Sequence, residues 1–417
     1  MTEKLYWTDP MATTFAASGL RVASHGGKPS LVLRRTLFYP EGGGQLGDSG
    51  TLAIESFLLR VADTQIDDSG EIHHLLAEPL PSGLETRLAS SPDLLVRGSL
   101  DEARRRDHMA QHTAQHALSR ALADEARAET VSARLGATSC TIDVSRPGLA
   151  DADLHRAEDL VNAIVQSDLV VETKMPSPEE LARLELRKQP NAQKSASGVR
   201  VVSIDGFDVT PCGGTHVTRT GQIGQVRVVG TEKYKGMLRI TFHAGKRALA
   251  DARARHDALA TAAADLTCGA LDVPQAVAKL RSEIKTMRAQ LDGARTELAE
   301  HVARRMLAAL PDSPGPHVVA TSRPSDDLAA LRALAGKLAA DDRVVALCTA
   351  ADPTSGEVVL VVQRGAKAAL DCGEFVMAQA RARTGRGGGR PERAEGRFPR
   401  GTSVEILADA ARATLAG

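Results

Sequence analysis

Histidine and cysteine are rare in this chain of 417 residues, with 12 and 5 copies, yet several of them recur at a fixed spacing. His108, His112 and His116 lie four residues apart in DHMAQHTAQHALS, and Cys212 and His216 repeat that spacing in PCGGTHV. Residues four apart on a helix lie one turn above each other, so His112 and His116 can present both imidazoles to one ion. Zinc binds nitrogen and sulfur ligands in a tetrahedron. The two segments together predict one zinc ion held by His112, His116, Cys212 and His216.

Several alternatives bear on this predicted site. His108 is a tempting further ligand, but three stacked imidazoles on one helix span about 12 Å, too far for one ion. A single H-x-x-x-H pair is common in helices that bind no metal, so the prediction rests on the joint occurrence of both segments. The peptidase motif H-E-x-x-H is disfavoured because Thr113 stands where its glutamate would be. Four protein ligands usually close a structural site, and the ligands alone leave a catalytic role open.

The elements that must position these residues differ along the chain. Residues 101–125 have helical periodicity, which places the histidines on a helix. Before them, from about residue 4 to 100, short apolar or alternating runs broken by turn signals predict a small β-barrel. The CGGTH turn follows a predicted strand. The other expected elements are a strand at 140–144, a helix at 150–165, a polar helix near 178–188, and strands near 201–204, 224–229 and 238–243.

Beyond residue 246 the chain becomes an Ala-rich, charged helix that is interrupted near residues 268–274. Where the helix resumes, apolar residues alternate spacings of three and four, at Val277, Leu280, Ile284, Met287, Leu291, Ala294 and Leu298. This heptad seam fits a short coiled coil or helical hairpin, and equally a helix packed on its own domain. From residue 315 onward the pattern indicates a second small α/β domain.

These segments predict an α+β protein with four parts. They are a β-barrel domain with a Gly-rich loop at 1–100, a zinc-binding domain at 101–247, a helical linker at 248–312 and a C-terminal α/β domain at 313–417.

Composition excludes several classes of function. The formal net charge is zero, which argues against a chain that coats nucleic acid or an anionic membrane by global charge. Aromatic residues make up 3%, so the aromatic base-stacking platforms of RNA-binding modules are not expected. No leader peptide or membrane span is expected, and the odd, scattered cysteines suit a reducing compartment. We therefore expect a cytoplasmic protein.

The motifs together resemble a known family. HTAQHALS, with CGGTHV about one hundred residues on, FYPEGGGQLGDSG before them and EKYKGMLRI after them, is similar to the editing domain of alanyl-tRNA synthetase. The resemblance extends over residues 1–247 and is closest to the free-standing alanyl-tRNA editing hydrolases of the AlaX type. The C-terminal part, with GRGGGRPERAEG, resembles the C-terminal domain of the synthetase. Only about one hundred residues precede the first ligand pair, so no activation of alanine with ATP is expected.

The resemblance implies a reaction and a substrate. The four residues of the predicted zinc site correspond to the zinc ligands of the family, and the substrate would be tRNA(Ala) mischarged with serine or glycine. The reaction would be hydrolysis of the aminoacyl ester, in which zinc either polarises water or orients the ester. Such a second site is needed because a pocket for a small amino acid cannot reject serine or glycine strongly enough.

The resemblance also suggests which residues would distinguish the substrates. Thr113 and Gln115 flank the ligands on the helix, and Gln45 and Asp48 are the polar members of FYPEGGGQLGDSG. That loop fits a tight β-turn equally well, because its glycines suit positive φ.

Contacts with tRNA would come from local basic patches. Residues 381–400 form an arginine-rich stretch, in which a flexible glycine loop would suit phosphate contacts or would simply be solvated. The predicted contacts are Arg386, Arg390, Arg393 and Arg397 there, and Arg104 and Arg105 just before the histidine helix. A homodimer through the linker or the C-terminal domain is a further expectation.

Two other functions compete with the hydrolase. One is a non-catalytic tRNA-binding protein in which a closed zinc site only holds the fold. The other is a phosphoesterase with an Asp-His-His motif, but the nearest string, EIHH at residues 71–74, lacks the leading aspartate.

Overall fold

The computed structural model describes residues 2–91, 93–190 and 198–416. The chain divides into two compact units, Met1–Thr261 and Ala262–Gly417. The finer division into four parts stays a prediction. In the part of the chain that the structure describes, no helix is both long and apolar enough to cross a membrane.

The first hundred residues form an open β-sheet that a helix covers. The strands are β1 (Glu3–Lys4), β2 (Thr14–Ala17), β3 (Arg21–His25), β4 (Lys28–Val32), β5 (Arg35–Thr36), β6 (Gly50–Ile54), β7 (Phe57–Ile66), β8 (Ile72–Leu76) and β9 (Val96–Leu100), with helix α1 (Leu84–Ser90) between the last two. Strands β1 and β5 pair in parallel, and the other seven form one antiparallel sheet in the spatial order β2-β9-β6-β7-β8-β4-β3.

The predicted β-barrel is wrong, because β2 and β3 stay at opposite edges of this sheet throughout the described residues. Helix α1 buries Leu84 and Leu88 among the apolar side chains of the sheet, so this core is covered without closure. Alternating apolar and polar residues fit an open and a closed sheet equally well, which is why the pattern could not separate them.

The rest of the first unit is built around one long, buried helix. The helices are α2 (Glu102–Ala126), α3 (Asp151–Gln166), the single turn α4 (Pro178–Leu181) and α5 (Gly245–Asp265), which runs past the boundary between the units. The strands are β10 (Thr130–Leu135), β11 (Cys140–Val144), β12 (Val171–Lys174), β13 (Val201–Ile204), β14 (Asp208–Pro211), β15 (Val226–Tyr234) and β16 (Met237–Ala244). They form the sheets β10-β11-β16-β15 and β12-β13-β14.

Helix α2 begins where the sequence predicts it. The Asp101 side chain accepts a hydrogen bond from the Arg104 backbone N–H at 3.1 Å, which caps the helix. Its apolar residues join a core with α3 and both of these sheets, and its histidines face inward with them. The predicted polar helix near residues 178–188 is only the single turn α4.

The second unit contains a five-stranded sheet with flanking helices. Its elements are α6 (Val273–Leu307), β17 (His317–Ser322), α7 (Leu328–Leu338), β18 (Val344–Ala351), β19 (Val358–Arg364), α8 (Cys372–Ala382), β20 (Arg386–Arg390), β21 (Arg393–Phe398) and α9 (Val404–Ala416). The sheet has the order β17-β18-β19-β21-β20, and only β17 and β18 pair in parallel. Helix α6 buries Ala299 and Ala303 against this unit.

Candidate metal centre

The four predicted ligands meet in the first unit. His112 and His116 lie on α2, and Cys212 and His216 lie on the turn that follows β14. One donor atom from each lies within 4.8 Å of all the others. The Cys212 Sγ is 3.4 Å from His112 Nε2 and 3.3 Å from His216 Nε2. The three imidazoles are buried, whereas Cys212 is only partly buried.

Gln45 orients the first ligand. Its side-chain oxygen accepts from the Thr215 backbone N–H at 3.1 Å. Because a backbone N–H can only donate, this end of the Gln45 amide must be the oxygen. The same oxygen lies 2.7 Å from His112 Nδ1, which must therefore carry the proton. His112 Nε2 is then unprotonated and directed at the cluster. Gln45 therefore positions a ligand, which differs from the predicted substrate contact.

Thr113 does the same for His216. The hydroxyl has one proton, which it donates to the Met109 carbonyl at 2.9 Å. Toward His216 Nδ1, at 3.1 Å, it must therefore accept, and this leaves His216 Nε2 free for a metal. The hydroxyl also accepts from the Val217 N–H at 3.2 Å. Since Thr113 is fully buried and all its bonds are used, it has no group left for the predicted contact with substrate.

Asp208 stands behind the third imidazole. His116 Nδ1 lies 3.7 Å from an Asp208 carboxylate oxygen and has no hydrogen-bond partner among the described residues. Burial opposes ionisation of Asp208, but nearby His116 and Arg187 outweigh it and hold its pKa down, at about 2. Arg187 Nε donates to Asp208 at 2.7 Å. A carboxylate behind a histidine is the usual outer partner of a metal ligand.

The donor set fits zinc. Burial alone would raise the pKa of the Cys212 thiol, but the neighbouring imidazoles lower it below its ordinary value, which favours the thiolate form that binds a metal. Three imidazoles and one thiolate match the ligand types of tetrahedral zinc sites, and each imidazole has an oxygen facing its other nitrogen. The cluster can therefore hold one zinc ion.

Gly214 is required by the close approach of the two segments. A Cβ built at this residue would lie 2.2 Å from His112 Cε1, whereas a Cβ at Gly213 would meet nothing within 4 Å. We expect G214A to displace the His112 ring and to weaken zinc binding about 10- to 100-fold, the range seen when a ligand loses its support. G213A is the matched control and should bind zinc like the wild type. Competition with a chromogenic chelator measures both, and equal affinities would contradict this role of Gly214.

The role of Gln45 predicts a second effect. Q45M keeps the length of the side chain but removes the acceptor for His112 Nδ1–H, so zinc affinity should fall about 10- to 100-fold. Q115M is a suitable control, because the Gln115 amide donates to Ser119 Oγ at 2.8 Å and, among the described residues, is not hydrogen-bonded to any of the four ligands. If Q45M and Q115M bind zinc equally well, the positioning role of Gln45 is wrong.

Arg200 and Trp7 contact the ligand turn without having been singled out in the sequence. Arg200 Nη1 donates to the carbonyls of Cys212 and Gly214, at 2.9 and 2.8 Å. Trp7 Nε1 donates to the Gly213 carbonyl at 3.0 Å. Three successive carbonyls of the turn are thus held by two side chains. An arginine within the apolar run VRVVSI was the available sequence signal for Arg200, which is buried in the structure. Nothing near Trp7 in the sequence indicates its contact with Gly213.

The structure corrects the predictions for Asp48 and Arg105. Both are buried, and Arg105 Nε donates to Asp48 at 3.1 and 3.2 Å. Asp48 also accepts from the Tyr39 N–H at 2.6 Å, and Arg105 Nη1 donates to the Pro10 carbonyl at 3.0 Å. A guanidinium that is 1% exposed cannot reach tRNA, and a carboxylate that is 1% exposed and paired with it is not accessible to a substrate. The pair is structural.

The remaining residues of this helix lie around the cluster. His108 is buried and outside the ligand group, as its distance along the helix predicts, and burial lowers its pKa to about 4. Gln115 is 8% exposed and faces Ser119. Arg104 is partly exposed and donates to the Gly47 carbonyl at 2.9 Å. The substrate role of Gln115 and the tRNA role of Arg104 stay predictions.

The arginine-rich stretch of the second unit is a β-hairpin, β20 and β21, and the flexible loop was a wrong prediction. A Cβ at Gly387 would lie 2.4 Å from the Glu395 carbonyl, and one at Gly389 would lie 2.4 Å from Ala394 Cα. The glycines therefore allow close packing.

Three of the four predicted arginines of this hairpin form ion pairs. Arg386 contacts Glu357, Arg393 contacts Glu395 and Arg397 contacts Asp352. Arg390 is exposed and has no ion pair within the described ranges.

Comparison with known proteins supports one family. Residues 199–241 match the model "Threonyl and Alanyl tRNA synthetase second additional domain", and residues 11–83 match "tRNA synthetases class II (A)". An alanine–tRNA ligase from Methanothrix thermoacetophila is 30% identical over 98% of this chain and 44% of that protein. The alanyl-tRNA editing protein AlaX-L from Pyrococcus horikoshii is 37% identical over 60% of this chain and 59% of that protein. The chain belongs to the AlaX and alanyl-tRNA synthetase family.

Within the AlaX and alanyl-tRNA synthetase family, this chain spans less than half the length of the ligase and 59% of AlaX-L. The first matched region contains Arg200, Asp208, Cys212 and His216, and the second contains Gln45. The C-Ala domain of alanyl-tRNA synthetase from Aquifex aeolicus aligns with 26% of the chain at 15% identity over its whole length. Its TM-score is 0.23, too low to establish a shared fold.

Proposed function

We propose that this protein is a zinc-dependent, cytoplasmic hydrolase that deacylates tRNA(Ala) mischarged with serine, and with glycine as a second substrate. The observation that carries the proposal is the convergence of three imidazoles on the half-buried Cys212 sulfur, with an oxygen facing the outer nitrogen of each ring. The relationship to AlaX-L adds the substrate class. An aminoacyl ester is already activated, so hydrolysis needs mainly a positioned water and a stabilised oxyanion.

The chain supplies positioning, and a bound zinc ion would supply Lewis acidity at the ester. Cys212 is partly exposed and Gly213 is exposed, so a substrate can reach the ligand turn from this side. Gln45 and Thr113 hold two imidazoles in the tautomer that binds metal. Gln115 is the remaining candidate for a contact that distinguishes serine from alanine.

Side-by-side deacylation tests this function. Ser-, Gly- and Ala-tRNA(Ala) are incubated with the zinc-loaded protein, and release of each radiolabelled amino acid is followed. We expect release of serine, with Ala-tRNA(Ala) spared, suppression by a chelator and recovery on adding zinc. Absence of release from both Ser- and Gly-tRNA(Ala) would contradict the proposal.

A second candidate is a tRNA-binding protein with a structural zinc site. The burial of three ligands and the full set of four favour it. It predicts salt-sensitive tRNA binding without ester hydrolysis, and unfolding of the first unit when zinc is removed.

We place the proposed tRNA contacts on Arg386, Arg390, Arg393 and Arg397 of the hairpin and on Arg104. Arg390 has the strongest case, since it is exposed and unpaired within the described ranges. A phosphate can still reach the other hairpin arginines, because their side chains are 40–69% exposed although their acidic partners are partly buried.

The seam of α6 supports a proposed homodimer. Val277, Leu280, Ile284, Met287 and Leu291 are 40–56% exposed, although they form an apolar heptad seam. Positions beside the seam are charged, with Glu283 and Glu297 on one flank and Arg281 and Arg288 on the other. In a parallel coiled coil Glu283 would face Arg288 of the second copy, whereas an antiparallel pair would bring like charges together. The charges therefore favour a parallel dimer.

Disrupting the seam tests the dimer. L291E places a carboxylate in the seam and should shift the protein from dimer to monomer, because a buried unpaired charge is costly. A289E is the matched control and should stay dimeric. Ala289 belongs to the same helical turn as Leu291 but lies on the face opposite the seam. Molar mass from light scattering during gel filtration reads this directly. A monomeric wild type, or a dimeric L291E, would contradict the proposed interface.

A further inference from the structure

Two exposed glycine turns lie beside the ligand cluster. Gly213 is exposed beside the half-buried Cys212, and a Cβ built at Gly213 would meet nothing within 4 Å. Gly43 is likewise exposed with open space around it, two residues before Gln45, which contacts His112. These exposed turns offer a route by which an ester could reach the proposed metal centre, with the group that carries the ester beside them.

Trp7 lies at this approach. It is the single tryptophan of the chain, at the end of the short 3-10 helix Leu5–Trp7. Its indole N–H donates to the Gly213 carbonyl at 3.0 Å, and the side chain is partly exposed. The Lys4 ammonium lies 4.4 Å from the centre of the ring. An aromatic face and a cation are thus held next to the ligand turn.

We propose that Trp7 and Lys4 form a docking site for the terminal nucleotide of the RNA whose ester enters the metal centre. The choice of ligand rests on the proposed function. The ester is carried on the terminal ribose, so the base and its phosphate remain outside when the acyl group reaches the ligands. The base stacks on the indole ring, which accepts any base, and the Lys4 ammonium moves from the ring to the phosphate.

The hydrogen bond from Trp7 to the Gly213 carbonyl fixes the position of the docking site relative to the ligands. Because the indole is tied to the turn that carries Cys212, a base stacked on the ring holds the ester at a constant distance from the ligands. Correct placement of a reacting group is worth a large part of a catalytic rate. The low aromatic content disfavours a stacking platform of several rings, but a single ring suffices for one terminal base.

Tryptophan fluorescence tests the site directly, because every emission change comes from Trp7. The zinc-loaded full chain is titrated with an uncharged RNA hairpin that ends in single-stranded CCA, and with the same hairpin that ends in CC. We expect quenching by the first, and about tenfold weaker binding of the second, as loss of one stacked base predicts. The inference is overturned if a fluorescently labelled hairpin shows no binding, if binding leaves Trp7 emission unchanged, or if the two hairpins bind equally.

Variants of Trp7 distinguish stacking of a base on the ring from structural support of the ligand turn. W7F keeps a ring without the N–H and should bind the CCA hairpin nearly as well as the wild type, whereas W7A should bind about tenfold more weakly. If both lose affinity equally and both lose zinc, Trp7 only braces the turn and the inference is overturned. K4A should reduce the slope of log affinity against log salt concentration by about one. Lys28 is an exposed lysine at the β3–β4 turn, and K28A should leave this slope unchanged.

The two proposals fail separately, because the hairpins carry no ester. A protein that deacylates Ser-tRNA(Ala) but shows no Trp7 response overturns the docking site alone. A protein that shows the response without hydrolysis overturns the hydrolase and leaves the docking site.

Discussion

Replacing Cys212 with alanine is expected to slow hydrolysis of Ser-tRNA(Ala) at least about 1000-fold, because a metal ion supplies several kcal/mol of transition-state stabilisation. Cys212 is the one ligand of the four that would bind a metal as an anion, and its neighbours lower the pKa of its thiol. Without it the site keeps three neutral nitrogens and loses the attraction that holds a divalent cation. Single-turnover deacylation and zinc content by mass spectrometry measure both losses in the same sample.

Cys268 provides the control for this substitution. It is a partly exposed free thiol outside the ligand group, so C268A removes the same atoms without touching the centre. We expect C268A to keep wild-type zinc content and rate. A C212A protein that retains zinc and hydrolyses at the wild-type rate would exclude the proposed metal centre. If C212A loses zinc and the wild type itself shows no hydrolysis, a structural zinc site is favoured.

Replacing Arg105 with methionine is expected to lower the free energy of unfolding by about 3–5 kcal/mol, the cost of breaking a buried ion pair from one side. The substitution leaves the Asp48 carboxylate buried without its counter-ion. It also frees the carbonyls of Pro10 and Leu37. Urea unfolding followed by circular dichroism measures the change.

Two further variants make this prediction specific. R106M removes an exposed arginine whose pair with Glu102 lies on the helix surface, and should cost less than about 1 kcal/mol. The double variant R105M/D48L removes both buried charges and should recover much of the lost stability. If R105M instead keeps the stability of the wild type and reduces the salt dependence of tRNA binding, Arg105 contacts tRNA as the sequence suggested.

The four residues of the proposed metal centre could be predicted because their signal is local. His112 and His116 are one helical turn apart, and Cys212 and His216 belong to one short turn, so spacing alone shows that each pair can converge. The partners behind them carry no such signal. Asp208 lies 92 positions from His116, and Trp7 lies 206 positions from Gly213, so only folding brings them together.

Polar residues near the site were predicted in position, and the structure shows contacts for them that the sequence did not indicate. Gln45 and Thr113 do lie at the cluster, but each uses its hydrogen bonds to orient an imidazole. Asp48, three residues from Gln45, instead neutralises a buried arginine. The types of these residues are compatible with either use, and the choice depends on which donor lies opposite, which the local sequence does not encode.

By itself the sequence determined the ligand pairs, the helix that carries the histidines, the heptad seam and the family resemblance, because all of these are repeats or motifs within a few turns of chain. The tertiary structure alone decided that the first sheet stays open, that Arg105 is buried, and that the arginine-rich stretch is a packed hairpin. The physical reason is common to all three. Burial, sheet closure and charge pairing depend on groups distant in the chain, and the same alternation of residues satisfies several arrangements until those groups meet.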